Sequence, residues 1–301
     1  MANSLADRAS FCWRRAVSKI IGGPEEGALM WGLDGGSPPE WKDLCRRQTA
    51  DFTLRGKRLA RALIDLVLPP LSYDNGAPVA SHGLTAGAWS KITFLEDPVC
   101  DGCGLPYEHD GGGFGIDRCA ACLSHPHRFE RARASCLYDE HSRGLILGLK
   151  HGDQQQNAVL FSRWLSRSAA PLLQEVDAVV PVPLHPLRLL RRRFNQSAEI
   201  ARPLARAQGL AFLPDALKRV RLTASQGGKS GRQRRLNVKN AFAVTKQGAH
   251  QIKGRRILLV DDVLTTGATA NACAEALLAA GARQVNLAVV AGVRGGREMP
   301  K

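Results

Sequence analysis

The chain has 301 residues, more than one domain of ordinary size requires. Lys and Arg number 42 against 27 Asp and Glu, a formal charge of +15 that favours anionic partners such as nucleic acid, phosphorylated small molecules or a membrane surface. Eight cysteines exclude a disulfide scaffold, no apolar run is long enough to span a bilayer, and the first residues lack the apolar stretch of a secretory signal. We therefore expect a cytoplasmic protein without a membrane span.

The N-terminal half divides into two parts by composition. Residues 1–55 are rich in Gly, Pro and charge without periodicity, which predicts a poorly ordered extension. Residues 58–68 carry apolar side chains at helical spacing and end at two prolines, which predicts a helix. That helix leads into a segment with many Gly and Pro, too small for a large core. We therefore predict a small cysteine-containing domain over 56–130 and a separate domain over 131–301.

From residue 132 onward, apolar strands alternate with helices. Strands are predicted at 134–138, 178–183, 257–260 and 285–293. Helices are predicted at 142–149, 157–167, 195–208 and 268–280. This alternation is typical of an α/β fold with a mostly parallel, twisted sheet and helices on both of its faces.

Four of the eight cysteines form two Cys-x-x-Cys pairs separated by 15 residues, Cys100 with Cys103 and Cys119 with Cys122. Four thiolates complete a closed tetrahedral zinc site, so we predict one structural Zn²⁺ in a zinc-ribbon-like segment. Unrelated free thiols or a redox dithiol are the alternatives, and two matched pairs argue against both. Three nearby histidines, His109, His125 and His127, are expected at the surface and not as ligands.

Residues 257–269, ILLVDDVLTTGAT, combine an apolar strand, an acidic pair and the start of a helix. Small residues and free N–H groups at a helix N-terminus favour a phosphate, and two carboxylates suit ribose hydroxyls or a metal ion. An ordinary strand-to-helix turn with capping residues is the alternative. The whole pattern predicts a site for ribose 5-phosphate. It resembles the phosphoribosyl pyrophosphate (PRPP) motif of the type I phosphoribosyltransferases, which implies that PRPP binds at Asp261, Asp262, Val263, Thr265, Thr266, Gly267, Ala268 and Thr269.

Residues 179–201 run from an apolar strand through an Arg-rich loop into a helix. Guanidinium groups suit phosphate oxygens, and a loop after a neighbouring strand would face the first phosphate site. A solvated basic face is the alternative. We predict a pyrophosphate-binding loop with His185, Arg188, Arg192, Arg193, Asn195 and Gln196.

Residues 218–242 are basic and polar with a Gly-Gly centre. This composition indicates a mobile arm that closes over an anionic substrate and excludes water. A disordered basic loop fits the composition equally well.

The order of these features resembles the ComF family of amidophosphoribosyltransferase-like competence proteins, over residues 58–294. Along the chain, the features that carry the resemblance are the cysteine pairs, GLILGLKHGD, VVPVPLHPLRLLRRRFNQ, RLTASQ followed by NVKNAF, and the PRPP motif. The resemblance implies a type I phosphoribosyltransferase fold in 131–301, preceded by a zinc-binding segment, and a link to DNA uptake in natural transformation. It also implies these residues around the active site: Lys150, Arg193, Asn195, Gln196, Thr223, Gln226, Arg234 and Asn237.

One departure from the family concerns a second cysteine unit that some relatives carry before the first. The corresponding positions here are Ser72, Asn75, Thr85 and Ala88. The missing thiols predict one zinc ion and a loosened segment over 71–95.

The resemblance implies transfer of phosphoribosyl from PRPP to an acceptor, with Mg²⁺ and release of pyrophosphate. Asp261, Asp262, Lys150 and Arg193 are the expected catalytic residues, and the sequence does not indicate the acceptor. A PRPP sensor without turnover and a single-strand DNA-binding module are the alternatives, the second weakened by an aromatic content of only 6%. The DNA-uptake machinery and a second copy of the chain are further expected partners.

Overall fold

The structure is a computed structural model that describes residues 72–74, 79, 83–107, 117–151, 157–221, 238 and 240–294. The predicted extension at 1–55, the predicted helix at 58–68 and most of the basic arm lie outside the described residues.

The described residues form seven strands: β1 Ala132–Leu137, β2 Ala178–Pro181, β3 Ala211–Phe212, β4 Leu217–Arg219, β5 Phe242–Val244, β6 Arg256–Leu264 and β7 Gln284–Gly292. Five of them make one parallel sheet in the order β1-β7-β6-β2-β3, and β4 pairs with β5 in an antiparallel ribbon. All four predicted strands are present, and the parallel α/β sheet is confirmed.

The helices are α1 Ala86–Trp89, α2 Ala120–Ser124, α3 Glu140–His151, α4 Asn157–Ser168, α5 Ala170–Leu173, α6 Pro186–Arg192, α7 Gln196–Gln208, α8 Lys246–Ile252 and α9 Ala268–Ala279. The four predicted helices correspond to α3, α4, α7 and α9. Helix α7 begins at an Asn195 N-cap and ends at Gly209 with φ of 66°. The predicted Arg-rich loop is wrong in its local structure, because most of it forms α6 with a proline in its first turn.

The core has two layers because successive residues of a strand point to opposite faces of the sheet. On β6, Leu258 and Val260 pack in one cluster with α4 and α7, while Ile257 and Leu259 pack in the other with α9. All four are fully buried. This explains why the strand is continuously apolar rather than alternating.

The cysteine-bearing segment packs on the β1 edge of the sheet. Asp101, inside the first Cys-x-x-Cys pair, forms salt bridges with Arg131 at 3.2 Å and with Arg133 at 2.7 Å. The N–H of Ala132 donates to the Asp101 carbonyl at 2.8 Å. The segment is thus anchored by its backbone and by a buried guanidinium, that of Arg133.

Part of the segment 71–95, for which the missing cysteines predict a loosened structure, lies outside the described residues, and the described part makes specific contacts. Asp74 accepts hydrogen bonds from the backbone and hydroxyl of Thr85, at 2.9 and 2.8 Å. Trp89 packs against Phe94 and Trp164, with ring centroids 4.6 and 6.1 Å away. Aromatic packing and this polar clasp hold the segment where no thiols are present.

Within the described part of the chain, no helix combines the length and the apolar character that crossing a membrane requires.

Candidate functional site

The site lies between β2 and β6, where the order in which the chain adds strands to the sheet reverses. From β2 it moves outward to β3, and from β6 it moves the other way to β7. The carboxyl ends of β2 and β6 are neighbours, with Pro181 paired to Val260 and the Val182 N–H donating to the Val260 carbonyl at 2.9 Å. Open α/β sheets bind ligands in the crevice at such a point.

The two carboxylates lie at the carboxyl end of β6. The predicted strand was too short, since it continues to Leu264 and includes Asp261 and Asp262. Asp261 Oδ1 accepts from the Ser197 hydroxyl at 3.0 Å and from the Asp262 N–H at 2.9 Å. Both side chains are half-buried. Asp261 is therefore held in one orientation by the first turn of α7.

The phosphate loop follows at the N-terminus of α9. Gly267 takes φ of 72°, a left-handed conformation that a side chain strains, and no side chain caps the helix. Thr266 Oγ1 is buried and has no hydrogen-bond partner among the described residues. A buried hydroxyl without a partner is costly unless a ligand completes it. An uncapped helix N-terminus fits an anion such as a phosphate group.

The acidic pair and most of the phosphate loop line one cavity of about 250 Å³, and Thr266 is not among its lining residues. The predicted residues that line it are Asp261, Asp262, Val263, Thr265, Gly267, Ala268, Thr269 and Gln196. Gln196 is 2% exposed, and its Nε2 has no partner among the described residues. The structure thus brings the acidic pair, the phosphate loop and one residue of the second predicted loop together.

Two other residues of the predicted pyrophosphate loop, His185 and Asn195, cap helices. His185 Nδ1 caps α6 by accepting from the Leu187 N–H at 3.2 Å. Asn195 donates to the Val182 carbonyl at 3.0 Å and accepts from the Ser197 N–H at 3.2 Å, which ties α7 to the end of β2. Arg193 is exposed at the C-cap of α6 with φ of 65°.

The structure describes the backbone position of some of the remaining predicted residues and not of the others. Arg188 and Arg192 lie in α6, and Lys150 lies near the end of α3. Thr223, Gln226, Arg234 and Asn237 of the predicted arm lie outside the described residues.

Arg219 is a cavity residue that sequence reasoning missed. It is 7% exposed at the end of β4, pairs in register with Phe242, and places its guanidinium 5.3 Å from the centroid of that ring. It lines the same cavity as the acidic pair. The only signal in the sequence is the spacing of Leu217 and Arg219, which places both on one side of a strand; the structure buries both and exposes Lys218 between them. That signal is too short to separate Arg219 from the other cations of the basic segment.

We predict that Arg219→Gln weakens the binding of PRPP by about tenfold or more, because a hydrogen bond to a charged group contributes about 1.5–3 kcal/mol. Lys218→Gln removes the same charge from the opposite side of the ribbon and is the matched control. Isothermal calorimetry of both variants measures the difference. Equal affinities of the two variants would show that the buried guanidinium takes no part in binding.

The four predicted zinc ligands form one cluster. All four sulfur atoms lie within 4.8 Å of one another, and those of Cys103 and Cys119 are 4.0 Å apart. A tetrahedral zinc site with bonds of about 2.3 Å has sulfurs about 3.8 Å apart. The Cys119 N–H donates to Cys100 Sγ at 3.2 Å, as expected for a knuckle that stabilises thiolate. The cluster therefore fits one structural Zn²⁺.

Glycine at position 102 allows the cluster to close. A Cβ there would lie 2.8 Å from Cys122 Cβ and 2.9 Å from its sulfur.

Of the three histidines, His125 is exposed as predicted and His109 lies outside the described residues. The surface prediction for His127 is wrong, because its ring is half-buried and stacked on Phe129.

Comparisons with known proteins agree with this geometry. A model of the phosphoribosyl transferase domain matches residues 168–301. The DNA utilization protein YhgH of Escherichia coli strain K12 is 33% identical over 228 residues, which cover 74% of this chain and 96% of that protein. Competence protein F of Haemophilus influenzae is 30% identical over 224 residues, or 69% of this chain and 90% of that protein.

The chain belongs to the ComF family.

The resemblance seen in the motifs is therefore confirmed, as is the phosphoribosyltransferase fold after a cysteine-bearing segment. Among solved structures, glutamine PRPP amidotransferase from B. subtilis aligns at 21% identity with a TM-score of 0.29. The alignment covers 46% of this ComF-family chain and only 26% of that one. A variant hypoxanthine phosphoribosyltransferase from Trypanosoma cruzi aligns at 15% identity with a TM-score of 0.29, over 50% of this chain and 70% of that one.

Proposed function

We propose that the cavity between the ends of β2 and β6 binds PRPP together with Mg²⁺ and transfers its phosphoribosyl group to an acceptor. The observation that carries this proposal is the single cavity in which Asp261 and Asp262 adjoin an uncapped helix N-terminus. A ribose 5-phosphate needs acceptors for its hydroxyls beside donors for its phosphate, and the cavity offers both at adjacent places on one strand-turn-helix unit.

In this proposal, the backbone N–H groups of the phosphate loop bind the 5-phosphate together with the hydroxyls of Thr265 and Thr269, which line the cavity. Asp261, oriented by Ser197, and Asp262 accept hydrogen bonds from the ribose hydroxyls. A carboxylate held by a fixed donor loses little conformational freedom when it binds, which favours affinity. When bound, Mg²⁺ neutralises charge on the pyrophosphate group.

Transfer breaks the bond between the anomeric carbon and a pyrophosphate oxygen while the acceptor's nucleophile bonds to the same carbon. Negative charge grows on the leaving pyrophosphate, and preorganised cations lower that barrier. We assign this role to Arg219 at the end of β4, to Lys150, and to Arg188, Arg192 and Arg193, which follow β2. The arm with Thr223, Gln226, Arg234 and Asn237 would exclude water, because hydrolysis of PRPP is the competing reaction.

Release of pyrophosphate from PRPP tests the transferase proposal. Wild-type protein is incubated with PRPP, Mg²⁺ and a panel of nitrogen nucleophiles, and pyrophosphate is measured enzymatically. We expect at least one acceptor to raise the rate well above the rate without acceptor. Tight PRPP binding without release for any acceptor would instead identify a PRPP sensor.

The link to DNA comes from the relatives, which are described as a DNA utilization protein and a competence protein. We propose that this chain acts in the same process, as the formal charge of +15 supports. Affinity for single-stranded DNA should then fall steeply with salt, because each phosphate contact releases counterions. A flat salt dependence would argue against direct DNA binding.

A further inference from the structure

The side chain of His127, in the cysteine-bearing segment, lies against the phosphate loop. A Cβ placed on Gly267 would lie 2.7 Å from His127 Cε1 and 2.9 Å from His127 Nδ1. The imidazole ring therefore occupies the space beside the backbone of Gly267, which is the N-cap of α9. The loop cannot shift toward the ring without a clash, so the ring acts as a back wall for the loop.

Asn271 ties the same two parts together from the first turn of α9. Its Oδ1 accepts from the Arg128 N–H at 2.8 Å, and its Nδ2 lies 3.2 Å from His127 Nδ1. Because a backbone N–H can only donate, the oxygen must face Arg128 and the amino group must donate to His127. Burial lowers the pKa of His127, which leaves the ring neutral at pH 7 with a lone pair on Nδ1.

The back wall is itself fixed to the sheet. The His127 ring stacks on Phe129 with centroids 4.5 Å apart and planes 13° apart, and Phe129 is 2% exposed. Phe129 belongs to the same buried cluster as Leu264 and Ala268, which flank the phosphate loop. The Glu130 N–H donates to the Val285 carbonyl on β7 at 2.8 Å. Displacing His127 would therefore require moving part of the core.

We propose that His127 and Asn271 are positioning residues for the phosphate loop, which make the zinc-binding segment part of the machinery for anion binding. Neither residue lines the cavity. They act by holding Gly267 and the first turn of α9, so that the N–H groups are preorganised for the phosphate. The identity of the ligand, PRPP, rests on the proposed function. The claim that His127 and Asn271 hold the phosphate loop in place does not depend on it.

The test compares His127→Ala, His127→Phe and the control His125→Ala, which alters an exposed residue of the same segment. His127→Phe keeps the stacking on Phe129 but removes the acceptor for Asn271. Amide hydrogen exchange at residues 265–270 is measured without ligand, and PRPP affinity is measured by calorimetry. Zinc content and exchange on strand 284–292 show whether each variant is folded.

For His127→Ala we expect exchange at 265–270 to rise about fivefold or more and PRPP affinity to fall about tenfold, with strand 284–292 unchanged. His127→Phe should show a smaller rise confined to the same residues, and it keeps the test valid if His127→Ala does not fold. Exchange at 265–270 equal to that of His125→Ala in the folded variants would overturn the inference. Failure of wild-type protein to bind PRPP would refute the proposed ligand alone, because the exchange measurement still decides the role of His127.

Discussion

Replacing Asp261 and Asp262 together by Asn is expected to weaken PRPP binding by about a hundredfold or more. Each carboxylate would accept a charge-assisted hydrogen bond, which contributes about 1.5–3 kcal/mol, and two such losses exceed the roughly 2.8 kcal/mol that a hundredfold change represents. Asn keeps the shape of Asp, and its oxygen still accepts from Ser197. The loss should therefore appear in affinity and not in the melting temperature.

A charge-matched control is available for this double variant. Asp215 and Glu275 are exposed and lie outside the residues that line the cavity. Asp215→Asn combined with Glu275→Gln removes the same two charges from the protein and should leave affinity within about twofold of wild type, since distant surface charges are screened by salt. If both double variants bind PRPP alike, the carboxylates do not contact the ligand.

The second large effect concerns the metal. Replacing Cys100 and Cys119 by Ser is expected to abolish zinc binding and to lower the free energy of unfolding by several kcal/mol, because a structural zinc site supplies about 10–16 kcal/mol in small domains. The effect should extend beyond the cysteines, since Asp101 of the first pair binds Arg131 and Arg133 on the sheet edge. Metal analysis and thermal denaturation measure both quantities.

Two other thiols give a matched control for the zinc ligands. Cys136 and Cys273 are fully buried and lie in the two layers of the core. Replacing both by Ala removes the same number of thiols, and we expect one zinc ion per chain to remain despite some loss of stability from the smaller side chains. Zinc retained by the Cys100 and Cys119 variant, or absent from wild type, would contradict the assignment.

Much of the fold was predictable because its signals are local and agree with one another. The apolar runs at 178–183 and 257–260 are strands, and Gly209 ends a helix in the left-handed conformation that glycine favours. The phosphate loop was predictable for the same reason, since strand, acidic pair and helix start are contiguous. Parallel strand order then brings the ends of β2 and β6 together.

What the sequence did not reveal depends on contacts between distant segments. His127 meets Asn271 across 144 positions of the chain, so no local pattern separates it from the exposed His125. Arg219 is buried only because the ribbon places it over Phe242. The Arg-rich stretch was expected to be a loop, because it connects an apolar strand to the next predicted helix. Its helix is supported by a histidine cap that composition does not indicate.

The most direct test of the central claim is a calorimetric titration of the wild-type protein with PRPP in the presence of Mg²⁺. The proposed cavity predicts saturable binding at one site per chain, with a dissociation constant in the range of about 1 µM to 1 mM that is typical of enzyme substrates. The same titration with the Asp261 and Asp262 double variant should give a dissociation constant about a hundredfold higher or more. An absence of binding by the wild-type protein, or equal binding by the double variant, would contradict the account.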